Sequence, residues 1–169
     1  MTDQKDQILL LKAFNNIKSK LKFKLIIIGK GKNKEKLKKY IKEKNLGKNI
    51  KIINYQNNPF PYLKKADIFI LSSKFEGLPN VLLEAQYLKK PIISTDCPTG
   101  PKEILLRGKA GFLFNVGDVN QLEKNIIFVS KKKNSKLLKS KSNLGLRYMK
   151  RFDYKTNMGK YFKLINKYL

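Results

Sequence analysis

The sequence contains no histidine, no tryptophan, one cysteine and only 12 acidic residues among 169. Without histidine, neither a His-dependent triad nor a histidine metal site can form. A lone Cys97 excludes an intrachain disulfide and a cysteine-based zinc cluster, and it reads as a small residue at a strand end. No apolar run approaches the roughly 20 residues that span a bilayer, and the N-terminus lacks the pattern of a signal peptide. Arginine is scarce as well. Only Arg107, Arg147 and Arg151 stand among the 38 basic residues, so the formal charge of +26 is almost entirely lysine charge. Phosphate recognition often uses arginine forks, and single-strand platforms interleave aromatics with basic residues. Neither pattern is present, and the abundance of Lys, Asn and Ile fits a genome rich in A and T. Specific nucleic-acid binding is therefore not expected. Lysine charge can still draw the chain to acidic lipid headgroups, at on the order of 1 kcal/mol per surface lysine.

What is there reads as one α/β domain over residues 1–169, with an ordinary 41% hydrophobic content. Thr2 or Asp3 can cap a helix carrying Leu10, Leu11, Phe14 and Ile17 on its apolar side. Phe23 to Ile28 reads as a buried strand, and Asn33 opens a helix facing inward through Leu37, Tyr40 and Ile41, with Gly47 as its stop. Short β-branched runs at Ile50 to Asn54, Ile68 to Leu71 and Pro91 to Ser94 predict strands, and Gly111 to Phe114 a fifth. Asp118-Val119-Asn120-Gln121 is a capping box before a helix with Leu122, Ile126 and Val129 inward. The Lys131–Ser142 region reads as a solvated connection or a frayed helix. Tyr154 to Leu169 returns to helical spacing through Met158, Tyr161, Phe162 and Ile165. Strands alternating with helices predict a doubly wound, Rossmann-like parallel sheet, with ligands outside the carboxyl ends of its strands.

The segment from Ser73 to Ala85 concentrates the chemistry. It joins a turn containing Gly77 and Pro79 to an apolar-periodic helix, with Glu76 in the turn and Glu84 about one turn into the helix. Pro79 suits the first helical position, where its missing N–H would have had no partner. The N–H groups that follow favour phosphate. Carboxylates on either side can accept hydrogen bonds from hydroxyls, so the arrangement points to a nucleotide-sugar site. Taken alone, the same residues more often describe a plain helix cap. A pair such as Gly29 and Gly31 after a buried strand more often serves only its turn.

The spacing Glu76-x7-Glu84 resembles the family 4 retaining glycosyltransferases, whose two-domain fold is called GT-B. The likeness extends over Leu25-Ile26-Ile27-Ile28-Gly29-Lys30-Gly31, Tyr55-Gln56-Asn57-Asn58-Pro59, Ala66 to Ser73 and Pro91 to Leu105, in the family's order from about Gln4 to Val129. It is strongest towards bacterial enzymes that add hexoses or N-acetylhexosamines to lipid-linked glycans. The resemblance implies that Glu84 binds ribose hydroxyls and Glu76 the donor sugar. It implies that Lys5 and the amides from Leu78 to Val81, Asn80 among them, meet the diphosphate, that Gly29, Gly31, Gly77 and Pro79 line the donor site, and that Tyr55 and Gln56 meet the base. Glu76 and Lys5 are the residues it implies for catalysis. No cofactor or metal is expected, because the nucleoside diphosphate sugar is a substrate.

The resemblance also implies a missing part. Family members carry an acceptor-binding N-terminal domain and a strand ending in Gly-Arg-Leu before the segment matched by Thr2-Asp3-Gln4-Lys5. This chain is therefore expected to be a fragment or truncated product lacking the first, central strand of the donor domain, with the strands at Leu25 to Ile28 and Ile68 to Leu71 left apart. Alone it should be inactive. The expected function is the donor half of a hexosyl- or N-acetylhexosaminyltransferase, cytoplasmic and peripheral at the inner membrane face. A non-catalytic nucleotide-binding or protein-interaction domain of the same fold is the alternative.

Overall fold

The computed structural model describes residues 1–168. Its elements alternate: α1 Gln7–Ile17, β1 Leu25–Ile28, α2 Lys34–Glu43, β2 Ile50–Ile53, α3 Phe60–Lys65, β3 Phe69–Leu71 and α4 Asn80–Tyr87. There follow β4 Ile92–Thr95, α5 Pro101–Ile104, β5 Phe112–Phe114, α6 Val119–Val129, α7 Ser135–Tyr148 and α8 Tyr154–Ile165. All strand pairings are parallel. β1 pairs with β2, placing Leu25 opposite Ile50 and Ile28 opposite Ile53. β4 lies between β3 and β5, with Ile93 opposite both Ile70 and Phe112. β1 and β3 are not paired, so the strands form a two-stranded and a three-stranded sheet.

Ile26 of β1 and Lys51 of β2 stay exposed, whereas the three-stranded sheet is covered on both faces. Neighbouring residues of β4 show it: Ile93 belongs to a core with α1, α2 and α6, whereas Ile92 belongs to a second core with Leu82 and Ala85 of α4 and Ile104 of α5. α1 supplies Leu9, Leu10, Leu11, Ala13, Phe14 and Ile17 to the first core, where residues of both sheets meet. α6 packs through the expected Leu122, Ile126 and Val129, and Asp118 Oδ1 accepts from the Gln121 amide at 2.8 Å.

Several local expectations change. Neither Thr2 nor Asp3 caps α1. Residues 3–6 form turns, and Asp6 is the preceding cap residue, in the left-handed region at φ 39° with no side-chain cap bond. Asp3 is instead engaged by Lys32 at 2.7 Å and Asn33 at 2.9 Å. α2 ends at Glu43, and the left-handed residue beyond it is Asn45 at φ 53°, not Gly47. Residues 135–148 form a regular helix where a connection or frayed helix was expected. The residues it buries are Ser142 and Gly145, small residues that carry no hydrophobic signal; Gly145 lies against Gln86 of α4, and Leu138 packs against the first core. α3 and α5 are short helices without such a signal. The helix expected from Tyr154 to Leu169 is seen as α8; Leu169 lies outside the described residues.

Candidate functional site

Parallel strands bring their carboxyl ends to common rims, and residues 1–5 connect the two. At one end Asn33 N donates to Met1 O at 3.2 Å, beside the turn after β1. At the other, Lys74 N donates to Gln4 O at 2.8 Å, Ser72 Oγ to Lys5 O at 2.8 Å, and Gln4 Nε2 to Phe75 O at 3.0 Å, all just beyond β3. The segment thereby fixes Lys5 against the β3–α4 turn, where its Nζ lies 2.6 Å from Glu76 Oε1. The Glu76 side chain is only 7% exposed, so this ion pair satisfies a carboxylate largely withdrawn from water.

The turn is held from its other side by the segment after β4. Thr95 Oγ1 donates to Ser73 O at 2.7 Å, and Thr99 Oγ1 donates to the Glu76 carbonyl. Thr99 itself has φ 59°, an unfavourable region for a β-branched residue. At Gly100, φ is 74° and a Cβ would overlap Gly77 O and Pro79 Cδ. The Pro98-Thr99-Gly100-Pro101 sequence thus shapes the turn that displays Glu76. Sequence reasoning did not assign Thr99 or Gly100 to the site; their signal was the Thr-Gly step between two prolines.

Pro79 is the cap residue of α4, not its first helical residue. Its ψ of 96° is extended, and Asn80 opens the helix. No side chain caps this end, so the amides at the start of α4 are left to an outside acceptor. Leu82 N returns to Pro79 O at 2.9 Å. Glu84 is half-buried on the second turn, and Leu78, Asn80 and Val81 are exposed.

On the other rim, Gly29 and Gly31 have φ of 146° and 143°, which L side chains rarely adopt. A Cβ at Gly31 would overlap the Met1 backbone, and the Met1 ammonium donates to Lys30 O. Gly29 N donates to Ile53 O at 3.0 Å, setting the turn beside the end of β2. There Tyr55 is exposed with Lys30 Nζ 5.4 Å from its ring centroid, and Gln56 Nε2 donates to Asn54 O at 3.2 Å. Lys5, Glu76, Gly77 and Pro79 are thus brought together, while Gly29, Gly31, Tyr55 and Gln56 form a separate group joined to them through residues 1–5.

Two groups near the site have shifted protonation. The Asp3 carboxyl is lowered to about 2, chiefly by its hydrogen bond from Lys32 and then by that from Asn33. Burial pushes the Cys97 thiol up, so it is held in its non-nucleophilic form. Neither Glu76 nor Glu84 lines the cavity of about 610 Å³ formed by Asn58, Phe60, Pro61, Lys64, Lys65 and Leu88, or the one of about 370 Å³ between α5 and α7.

Residues 1–145 match the family model described as Glycosyl transferases group 1. The chain belongs to this family. An uncharacterised glycosyltransferase of Methanocaldococcus jannaschii is 46% identical over 106 residues, which are 62% of this chain and 26% of that protein. The Campylobacter jejuni N-acetylgalactosamine-N,N'-diacetylbacillosaminyl-diphospho-undecaprenol 4-alpha-N-acetylgalactosaminyltransferase is 34% identical over 118 residues, covering 70% of this chain and 32% of the relative. The fold matches Anabaena HepE solved with UDP, at TM-score 0.86 and 17% identity, over 98% of this chain and 46% of that one. It also matches a Staphylococcus aureus TarM mutant in complex with fondaparinux, alpha-GlcNAc-glycerol and UDP, at TM-score 0.89 and 24% identity, over 98% and 34%. The fold is that of GT-B glycosyltransferases. The chain spans about a third or less of the length of the curated relatives named here.

Proposed function

We propose that this chain is the nucleotide-sugar binding half of a retaining glycosyltransferase, moving a hexose or N-acetylhexosamine to a glycan or lipid-linked acceptor. The observation that carries the reading is the convergence of Lys5, Glu76 and the uncapped start of α4 on one strand rim. The names of the relatives support the substrate class, and UDP in the HepE and TarM structures supports the donor class.

In this reading the donor diphosphate lies over the amides of Leu78, Asn80 and Val81, where the helix dipole favours anions. Lys5 changes partner: its ammonium leaves Glu76 for the diphosphate and stabilises the negative charge that develops on the leaving group. The exchange frees Glu76 Oε1 to accept a hydrogen bond from a sugar hydroxyl. Glu84 accepts from ribose, Tyr55 and Gln56 meet the base, and the backbone at Gly29 and Gly31 lines the approach. Amides and a lysine take the place of a metal. The acceptor is bound by a second half absent from residues 1–169, so the chain alone performs no transfer. Its site of action is cytoplasmic, at the inner membrane face, where lipid-linked acceptors present their glycans.

Calorimetry with UDP tests the ribose contact. Glu84→Ala should weaken binding by about 1–3 kcal/mol, the cost of leaving a buried hydroxyl without its acceptor. Unchanged affinity would contradict the role given to Glu84. Binding without sugar transfer by the chain joined to an acceptor half would favour the non-catalytic alternative.

A further inference from the structure

Arginine is scarce in the sequence and concentrated in space. All three arginines gather at the cavity of about 370 Å³ between α5 and α7. Arg107 and Arg151 line it, and the guanidinium of Arg147 lies 5.6 Å from the ring of Tyr148, another lining residue. Elsewhere the chain uses lysine for positive charge. The grouping therefore marks a place where shape matters as well as charge, because only the planar guanidinium offers paired, parallel donors to an oxyanion. The sequence hides it, since Arg107 lies far along the chain from the other two.

The wall beyond α5 is a fixed left-handed turn. Leu106, Arg107 and Gly108 have φ of 52°, 52° and 85°. Non-glycine residues rarely take this conformation, and it persists where the surroundings over-determine it. Lys141 Nζ of α7 supplies that restraint by donating to Gly108 O at 2.6 Å and Gly111 O at 3.2 Å, while Arg107 N donates to Lys102 O at 2.8 Å. Arg151 Nη2 donates to Glu103 O and ties the end of α7 to α5. Its Nε is buried without an acceptor, so this guanidinium holds more donors than the protein satisfies. Lys102 is engaged by Asp96 at 2.9 Å, but among the described residues Arg107, Lys109 and Arg151 form no ion pair. Glu103 is the one carboxylate in the lining, and Leu106, Leu144 and Tyr148 supply its apolar part.

The cavity lies towards the rim opposite the donor site. β4 and β5 are parallel, so the chain that leaves β4 on the side of Glu76 must return along α5 to the other end of the sheet before Phe112 opens β5. Leu106, Arg107 and Lys109 stand on that return. An acceptor half that presents its substrate to Glu76 faces the carboxyl rim and leaves this cavity open.

We propose that this cavity binds a small organic phosphate monoester, its phosphate held by Arg107, Lys109 and Arg151 and its apolar body against Leu106, Leu144 and Tyr148. Three cations suit the near-double negative charge of a phosphate monoester at neutral pH better than the single charge of a carboxylate. The volume is that of a small-molecule site. The site is separate from the donor rim and goes beyond the transferase reading without resting on it.

Amide NMR of the isotope-labelled 169-residue chain, titrated with phenyl phosphate, should give saturable shifts at Leu106, Arg107, Lys109, Leu144 and Tyr148. Inorganic phosphate should move the same amides with about tenfold lower affinity, because it leaves the apolar lining uncovered. Arg107→Gln should weaken phenyl phosphate binding about tenfold or more, and Arg107→Lys should not restore it. Glu103→Gln removes the opposing carboxylate and should tighten binding about twofold. Lys22→Gln, a remote change of the same charge, should alter it by less than about twofold. Arg107 and Glu103 are exposed, so their variants should fold. Equal losses from Arg107→Gln and Lys22→Gln would overturn the proposal in favour of unspecific charge attraction. Unmoved cavity amides with phenyl phosphate would overturn it outright, and shifts there with polyglutamate instead would assign the surface to an acidic protein. Loss of the shifts when the chain is joined to an acceptor half would show that this half covers the cavity, and would overturn it as well. UDP shifts at Leu78 to Val81 report separately on the donor site, so either reading can fail without the other.

Discussion

Helices α1 and α8 carry apolar stripes of the same period with opposite fates. In α1, Leu10, Leu11, Phe14 and Ile17 are all buried beneath strands of both sheets and beside α2 and α6. In α8, none of the residues at comparable spacing is fully buried: Met158 and Ile165 are half-buried, and Tyr154, Tyr161 and Phe162 are exposed. Periodicity therefore identifies a helix and the side on which it will meet something, but not whether that something is within the chain. The stripes also differ in content. α1 uses aliphatic residues and one phenylalanine that pack closely, whereas α8 mixes tyrosines with four nearby lysines, a composition suited to a boundary rather than a core.

The sharpest test of this contrast is a matched pair of truncations. Ile17→Ala removes a side chain with no exposed area and should lower unfolding stability by about 2–5 kcal/mol. Phe162→Ala should stay within about 0.5 kcal/mol, because an exposed ring loses little by truncation. Urea denaturation followed by circular dichroism compares them, and similar losses would mean that α8 is part of the cooperative core.

A smaller effect separates site shape from core packing. Gly100→Ala places a methyl group against Gly77 and Pro79 at a positive φ, so the β3–α4 turn must shift. The expected cost is about 1–3 kcal/mol of stability, with UDP affinity reduced in the same variant. Wild-type affinity in a destabilised variant would show that the turn's shape does not govern binding.

The smallest expected effect is electrostatic. Because Asp3 has its carboxyl lowered to about 2 from an ordinary 3.8, its contribution to anchoring residues 1–5 is present above pH 3.8 and disappears as the pH falls through about 2. Both partners are well exposed, so solvent screens much of the effect. NMR titration of the Asp3 carboxyl should give a midpoint near 2; a midpoint at the ordinary value would remove this anchor from the account.

The five strands were legible because β1 to β4 are short runs rich in β-branched residues and β5 a short apolar run, and their observed ends fall within one or two residues of those expected. α6 was legible through Asp118 and its buried stripe. α7 was not, since Lys136, Lys139, Lys141 and Arg147 interrupt its leucines and the residues it buries are Ser142 and Gly145. Lys141 is itself structural: it donates to Gly108 O at 2.6 Å, and burial lowers its pKa. At the candidate site, the placement of Glu76 in the turn before α4 and of Glu84 within the helix was legible from spacing. The ion pair between Lys5 and Glu76 was not, because it depends on residues 1–5 crossing between two rims, and no local pattern encodes that path.

The central claim is that the rim formed by Lys5, Glu76 and the start of α4 receives the nucleotide diphosphate. Amide NMR of the isotope-labelled 169-residue chain, titrated with UDP, tests it most directly. The account predicts the largest shifts at Leu78, Asn80, Val81 and Lys5, with smaller ones at Tyr55 and Gln56. Shifts centred instead on Phe60 and Leu88 in the larger cavity, with the α4 amides unmoved, would contradict it.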